Sequence, residues 1–266
     1  MRETRDRASL RGMAIELELV QQTAREAVEA AARVALPHWE RGVAVETKAD
    51  RSPVTIADRL SEEAILQLIG ARFPEHAILA EESGARTGEG GRWIIDPIDG
   101  TRGFSRGGKF WGPLVAFEQD GEVLAGALAL PALGLVYSAA RGRGCWRNGE
   151  RCRVSQVGDL RDATLSLGEL GWLLGPPHGD AVTRLIRGAA SARCYGDLAG
   201  VAMVLDGLAD VWLEAGVKPW DLAATRILLE EAGGRFTSFV GDTDLGHGTA
   251  VGSNGRLHAA VLDALR

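Results

Sequence analysis

The chain has 266 residues, 45% hydrophobic and 25% charged, a globular balance that excludes wholesale disorder. At roughly 100–200 residues per domain it forms one large domain or two closely packed ones. Thirty Lys and Arg against 36 Asp and Glu leave a net charge of −6, which excludes a non-specific nucleic-acid coat, because phosphate backbones need a net basic surface.

Residues 1–12 are charged and lack an apolar run, so they are no secretory signal. They are expected as a disordered tail, or as lying upstream of a true start at Met13. Leu17, Val20, Ala24, Ala27, Val28, Ala31 and Val34 then recur at helical spacing through residues 15–36, with Pro37 as the stop. Residues 42–54 are polar and broken by Pro53. Thr55-x-x-Asp58 is a helix entry that puts Asp58 in a first turn, and Gly70 is the expected exit. Ala77–Ala80 reads as a short buried strand ending in Glu81-Glu82-Ser83-Gly84, residues 84–92 as a mobile loop, and Trp93-Ile94-Ile95 as a second strand running into Asp96-Pro97-Ile98-Asp99-Gly100-Thr101. A meander follows, Trp111–Glu118, Glu122–Leu130 and Leu135–Ala140, with Gln119-Asp120-Gly121 as a hairpin turn. Beyond residue 158 strands (163–167, 209–213, 250–253) alternate with helices (180–189, 198–208, 221–232, 257–265). The class is therefore α+β: an N-terminal subdomain over 13–158 with an antiparallel sheet and most of the candidate ligands, and a C-terminal α/β subdomain over 159–266 that completes the site.

The acids carry the chemical signal. Glu81 and Glu82 end one strand, Asp96 and Asp99 end another, and Asp221 opens a helix; sheet-based enzymes place their sites at such ends. Pro97 keeps Asp96 extended, and Gly100 permits a turn with backbone N–H groups open to an anion. Acids this crowded need a cation among them, and oxygen-only ligands select hard ions such as Mg²⁺ or Mn²⁺. Asp-Pro and Asp-Gly are also common turn dipeptides, and Asp221 alone reads as a helix cap.

Taken jointly, several segments resemble the inositol monophosphatase-like family of metal-dependent phosphomonoesterases. They are Ser52-Pro53-Val54-Thr55 through Asp58, Glu81-Glu82-Ser83, the block Trp93–Thr101, Lys218-Pro219-Trp220-Asp221-Leu222-Ala223-Ala224, and Glu231-Ala232-Gly233-Gly234. The resemblance spans about residues 15–265 and implies a layered αβαβα sandwich and two or three Mg²⁺ ions, with Mn²⁺ able to substitute. It implies that Glu81, Asp96 and the Ile98 carbonyl hold one ion, and that Asp96, Asp99 and Asp221 hold a second. Glu81 and Asp58 would engage a weaker third through water. Thr101, backed by Asp58, would position and help deprotonate the attacking water. The backbone N–H groups of Gly100 and Thr101 would cradle the phosphate.

The loop Arg102-Gly103-Phe104-Ser105-Arg106-Gly107, the following Trp111-Gly112, Tyr195-Gly196-Asp197 and the run Ser253–His258 resemble the histidinol-phosphatase branch. That branch implies histidinol phosphate as substrate, in histidine biosynthesis, with inositol monophosphate the alternative and fructose 1,6-bisphosphate or adenosine 3′,5′-bisphosphate behind it. Asp197 and Glu214 are candidate partners for a cationic leaving group. Glu214 falls where the family places a substrate-contacting acid, and Arg193 is a candidate phosphate contact. Lys48, ten residues before Asp58 in a family-like pattern, is a candidate to balance the outer metal shell, but a lone Lys is bland by default and it is left out of the inner ligand set. The family is often homodimeric. No run of about 18 apolar residues offers a membrane span. Three cysteines (Cys145, Cys152, Cys194) are too few for a disulfide framework, so a cytoplasmic location is expected.

Two rivals stand further off. Gly103-Phe104-Ser105-Arg106-Gly107 matches a serine-hydrolase elbow but lacks the strand before Ser105 and the helix after it. A phosphate- or metal-binding regulator would have no use for a water-positioning Thr101 backed by Asp58.

Overall fold

In the computed structural model of the protein, apolar faces sort the chain into five layers. The backbone is described for residues 2–49 and 51–266, and the side chains for residues 17–49, 51–196 and 198–266. The elements of the first part are α1 (Arg2–Arg41), β1 (Glu46–Thr47), β2 (Pro53–Val54), α2 (Ile56–Arg72), β3 (Ala77–Ala80), β4 (Gly84–Arg86), β5 (Arg92–Asp99) and α3 (Thr101–Phe104), followed by β6 (Gly112–Gln119), β7 (Glu122–Leu130), β8 (Leu135–Ala140), β9 (Gly144–Arg147) and β10 (Glu150–Arg151). The second part contributes β11 (Thr164–Leu167), α4 (Leu170–Leu173), α5 (Gly179–Gly188), β12 (Ser191–Arg193), α6 (Asp197–Leu205), β13 (Val211–Ala215), α7 (Pro219–Glu231), β14 (Arg235–Thr237), β15 (Thr249–Ser253) and α8 (His258–Leu265).

Strands of the first part form an eight-stranded sheet in the order β10-β9-β8-β7-β6-β5-β3-β4, and those of the second form a five-stranded sheet, β12-β11-β13-β15-β14. The large sheet is antiparallel except where β3 runs parallel to β5. The small one is parallel at β11–β12 and β11–β13 and antiparallel on the β15 side.

The stripe Val20, Ala24, Ala27, Val28 and Ala31 on α1 joins Ile65 and Ile69 of α2 against Trp93, Ile95, Val115 and Phe117 of the large sheet. The other face of that sheet meets α6 and α7, which also pack on the small sheet through Trp212, Phe236 and Ala250. Helix α7 is buried continuously from Leu222 to Leu229, as expected of a helix with sheet on both sides. Helices α5 and α8 cover the outer face of the small sheet. The result is the αβαβα sandwich.

Three local expectations are corrected. Pro37 does not stop α1, which runs on to Arg41. The lost N–H costs about 3 kcal/mol, but the last turns are anchored: Ala35 is buried with Leu36 and Trp39 against Phe104 and Trp111, and Trp39 Nε1 donates to the Gly108 carbonyl at 2.6 Å. Gly70 does not end α2 either. The helix continues to Arg72, whose guanidinium is fastened to Thr23 and Glu26 of α1. Within the expected loop 84–92, residues Gly84–Arg86 form β4 against β3. Of the residues expected as a tail, 2–12 fall within the backbone span of α1, while Met1 and the side chains of the rest lie outside the described residues.

Candidate active site

Asp96 and Asp99 are three residues apart, which in a regular strand would aim them at opposite faces. The pairing of β5 with β6 shifts register between them: Asp96 faces Leu114 and Asp99 faces Gly112, so three steps on β5 match two on β6. The extra residue returns Asp99 to the face of Asp96, and Ile98 turns to the opposite face against Ala57, Phe104 and Trp111. Asp221 enters that same face from the third position of α7. Its Oδ2 accepts from the Lys218 N–H at 2.7 Å, and Lys218, not Asp221, is the residue that caps the helix. Carboxylate oxygens of Asp96, Asp99 and Asp221 all lie within 4.8 Å of one another.

Glu81 follows β3, its N–H donating to the Ile95 carbonyl at 3.1 Å. Burial pushes its carboxyl up to about 7, with Glu82 and Asp221 adding to the rise and Lys48 opposing it. Burial, then the charges of Glu81, Asp221 and Asp99, push Asp96 well above the usual carboxylate range. Asp221 is raised as well, chiefly by burial. Such a set is poorly tolerated as bare anions, and its all-oxygen donors fit hard divalent cations.

Asp58 is wholly buried at the third position of α2. Its Oδ2 accepts from the Thr55 N–H at 2.8 Å and the Thr55 hydroxyl at 2.6 Å, while Oδ1 lies 3.2 Å from Thr101 Oγ1. The Thr101 hydroxyl is also 3.0 Å from the Ile98 carbonyl, so its one proton goes to either acceptor. Burial raises Asp58, against the hydrogen bonds it accepts. Gly100 adopts the left-handed conformation at φ 79° and turns the chain from β5 into α3.

The wall of a cavity of about 610 Å³ includes Glu81, Asp96, Ile98, Asp99, Gly100, Thr101 and Asp221, and also Glu214. Glu214 Oε1 accepts from the N–H groups of Glu169 at 2.8 Å and Ala215 at 3.1 Å. Arg193 is not part of this wall: it is exposed, and its guanidinium donates to the neighbouring Ala192 carbonyl at 2.8 Å. The side chain of Asp197 lies outside the described residues, although its backbone opens α6.

Two contributors escaped the sequence reading. Lys48, set aside there as bland, bridges Glu81 at 2.9 Å and Glu82 at 2.5 Å. Glu62, buried on α2, accepts the N–H groups of Glu82 at 2.9 Å and Ser83 at 2.8 Å and so fixes the turn that carries Glu81. Its signal was its place four residues after Asp58, on the same helix face.

A layered sandwich with hard oxygen ligands gathered at a strand end and a helix start defines a metal-dependent phosphomonoesterase. The chain belongs to the inositol monophosphatase family, matched over residues 16–266. It is 40% identical over 215 residues to the histidinol-phosphatase of Chlorobaculum parvum, covering 80% of this chain and 83% of that one. It is likewise 40% identical over 227 residues to the histidinol-phosphatase of Mycobacterium tuberculosis, covering 83% and 87%. An IMPase/NADP phosphatase solved with Mg²⁺ and phosphate superposes with a TM-score of 0.82 at 25% identity, covering 94% of this chain and 96% of that one. Among the described residues no helix is long and apolar enough to cross a membrane.

Proposed function

We propose that the protein hydrolyses histidinol phosphate. The observation that carries this reading is a second pair of acids in the cavity wall. Besides the metal-type carboxylates, Glu214 and Glu169 line the same cavity, and a cationic leaving alcohol is drawn to such a wall. The likeness to two histidinol-phosphatases supports it.

Glu81, Asp96 and the Ile98 carbonyl are suited to hold one divalent cation, and Asp96, Asp99 and Asp221 a second. Glu81 and Asp58 would engage a weaker third ion. Mg²⁺ is the natural occupant and Mn²⁺ an adequate substitute. The bound cations supply neutralisation of the phosphate dianion and acidify the attacking water. Thr101 then orients that water. Its hydroxyl donates to Asp58 and presents a lone pair to the water proton, so that as the water attacks phosphorus its proton passes to Thr101 Oγ1 and the Thr101 proton to Asp58 Oδ1, while the bond from phosphorus to the substrate alcohol breaks and the alcohol oxygen takes a proton from solvent water. Gly100 and Thr101 line the cavity, and their backbone N–H groups would cradle the phosphate oxygens. The cysteines Cys145, Cys152 and Cys194 are all free thiols, in keeping with a cytoplasmic enzyme, and we infer a homodimer from the family habit.

A turnover panel at fixed Mg²⁺ tests the substrate. The expected result is a kcat/KM for histidinol phosphate at least about tenfold above inositol 1-phosphate, fructose 1,6-bisphosphate and adenosine 3′,5′-bisphosphate. A higher value for any of the other three refutes it.

A further inference from the structure

The cavity has an aromatic rim that phosphate chemistry does not require. Trp172, on the short helix α4, lines the cavity yet leaves 63% of its surface exposed. A large indole left in water at the mouth of a polar cavity is a surface awaiting a partner. Its position is enforced by the backbone beneath it. Gly216 has φ +79°, and a Cβ there would sit 2.6 Å from the Trp172 ring, so any other residue would both strain the turn and displace the indole.

The acids beside the ring are held in the same way. A Cβ on Gly168 would fall 1.5 Å from Glu214 Oε2. The absence of a side chain at 168 is what lets the Glu214 carboxylate lie under the start of α4, where it accepts the Glu169 N–H. Glu169 caps α4, its Oε1 accepting from Gly171 N–H at 3.2 Å. Gly168 follows β11 and Gly216 follows the neighbouring parallel strand β13, and together they seat the indole and the Glu214 carboxylate in the cavity wall.

We propose that Trp172 is a specificity-determining residue for the leaving alcohol: its indole face receives a flat, cationic ring, while Glu169 and Glu214 attract the positive charge of the same group. This rests on the phosphatase reading above and extends it, because it assigns the ring of the substrate to one side chain. An indole face binds a planar cation through its ring quadrupole. A neutral cyclic polyol offers it neither charge nor a flat face.

The test compares wild type, Trp172→Ala and Trp172→Phe on histidinol phosphate and on inositol 1-phosphate at fixed Mg²⁺. In W172A the KM for histidinol phosphate is expected to rise about tenfold, equivalent to about 1.4 kcal/mol of cation–ring contact. Its kcat should stay within about threefold, and KM for inositol 1-phosphate should move less than about threefold. W172F should restore most of the lost affinity, because a phenyl ring keeps the face. An active wild type whose W172A variant weakens both substrates alike, or neither, overturns the inference alone. A wild type inactive on histidinol phosphate overturns the substrate reading, and this inference with it. Melting temperatures of both variants separate misfolding from lost recognition, and W172F keeps the test decisive should W172A unfold.

Discussion

Asp96 is 1% exposed, and its neighbours include the carboxylates of Glu81, Asp99 and Asp221. In the metal-free protein its negative charge is a liability: burial and those neighbours favour the protonated acid. Asp96→Asn keeps the shape, and its amide oxygen can still accept the Ile98 N–H that Asp96 Oδ1 accepts at 2.9 Å, but it removes the charge that a cation needs. The expected outcome is a loss of activity of about 10³-fold or more. In EDTA at pH 7 the variant should melt no lower than wild type, because a buried repelled charge has gone. Phosphatase assays beside melting curves check both halves. An active D96N, or one that melts well below wild type without metal, contradicts this account of the residue.

Helix α2 serves the site through two residues one turn apart. Its cap is also its functional end, since Asp58 closes the capping box with Thr55 and faces Thr101. Four residues on, Glu62 ties down the Glu82–Ser83 turn. Hydrogen bonds to charged groups are worth about 1.5–3 kcal/mol each. Glu62→Ala is therefore expected to loosen the turn and weaken Mg²⁺ binding about tenfold or more, read by Mg²⁺ titration of activity. E62Q should lie between E62A and wild type, because one amide oxygen keeps one of the two bonds. Asp58, Glu81, Asp96, Asp99, Thr101 and Asp221 could be picked out from sequence because each is tied to a boundary signal, a cap, a strand end or an Asp-Pro and Asp-Gly turn. Lys48 and Glu62 could not. Their roles depend on which turn lies opposite them in space, and in sequence they look like ordinary charges. The same limit explains Pro37 and Gly70: local stop signals lost to anchors made by Trp39 and by Arg72, at the far ends of long-range contacts. It also explains β12 and β14, three-residue strands whose pairing partners alone define them.

At the scale of the molecule, the acids come from two adjacent layers, the large sheet and the helical layer packed on it. Asp96 and Asp99 belong to the large sheet, while Asp221 starts the helix packed between the sheets. Cation binding therefore links stability to metal and to pH. Glu81 is raised to about 7 and Asp58, Asp96 and Asp221 are raised also, whereas in the unfolded chain such groups titrate near about 4. Between those limits the metal-free native state holds more protons than the unfolded state, so its stability falls as pH rises from about 4.5 to about 7. Mg²⁺ takes the place of those protons. The rise in melting temperature on adding Mg²⁺ should thus grow across that window, reaching about 5–10 °C when Mg²⁺ is near a hundredfold above its dissociation constant. Scanning fluorimetry in EDTA and in Mg²⁺ from pH 5 to 8 measures it, and an increment equal at both ends would refute the linkage. The broken register of β5 carries a further lesson about what this stretch of gene can survive. Swapping Pro97 for another side chain leaves the spacing of the acids intact, whereas deleting one codon between Asp96 and Asp99 removes the bulge: alternation would still put the two acids on one face, but a single residue would have to stand in for both Pro97 and Ile98, whose side chain fills the opposite face against Ala57, Phe104 and Trp111. Between the two acids, heredity has to guard the count of residues as well as the kind of residue at each end.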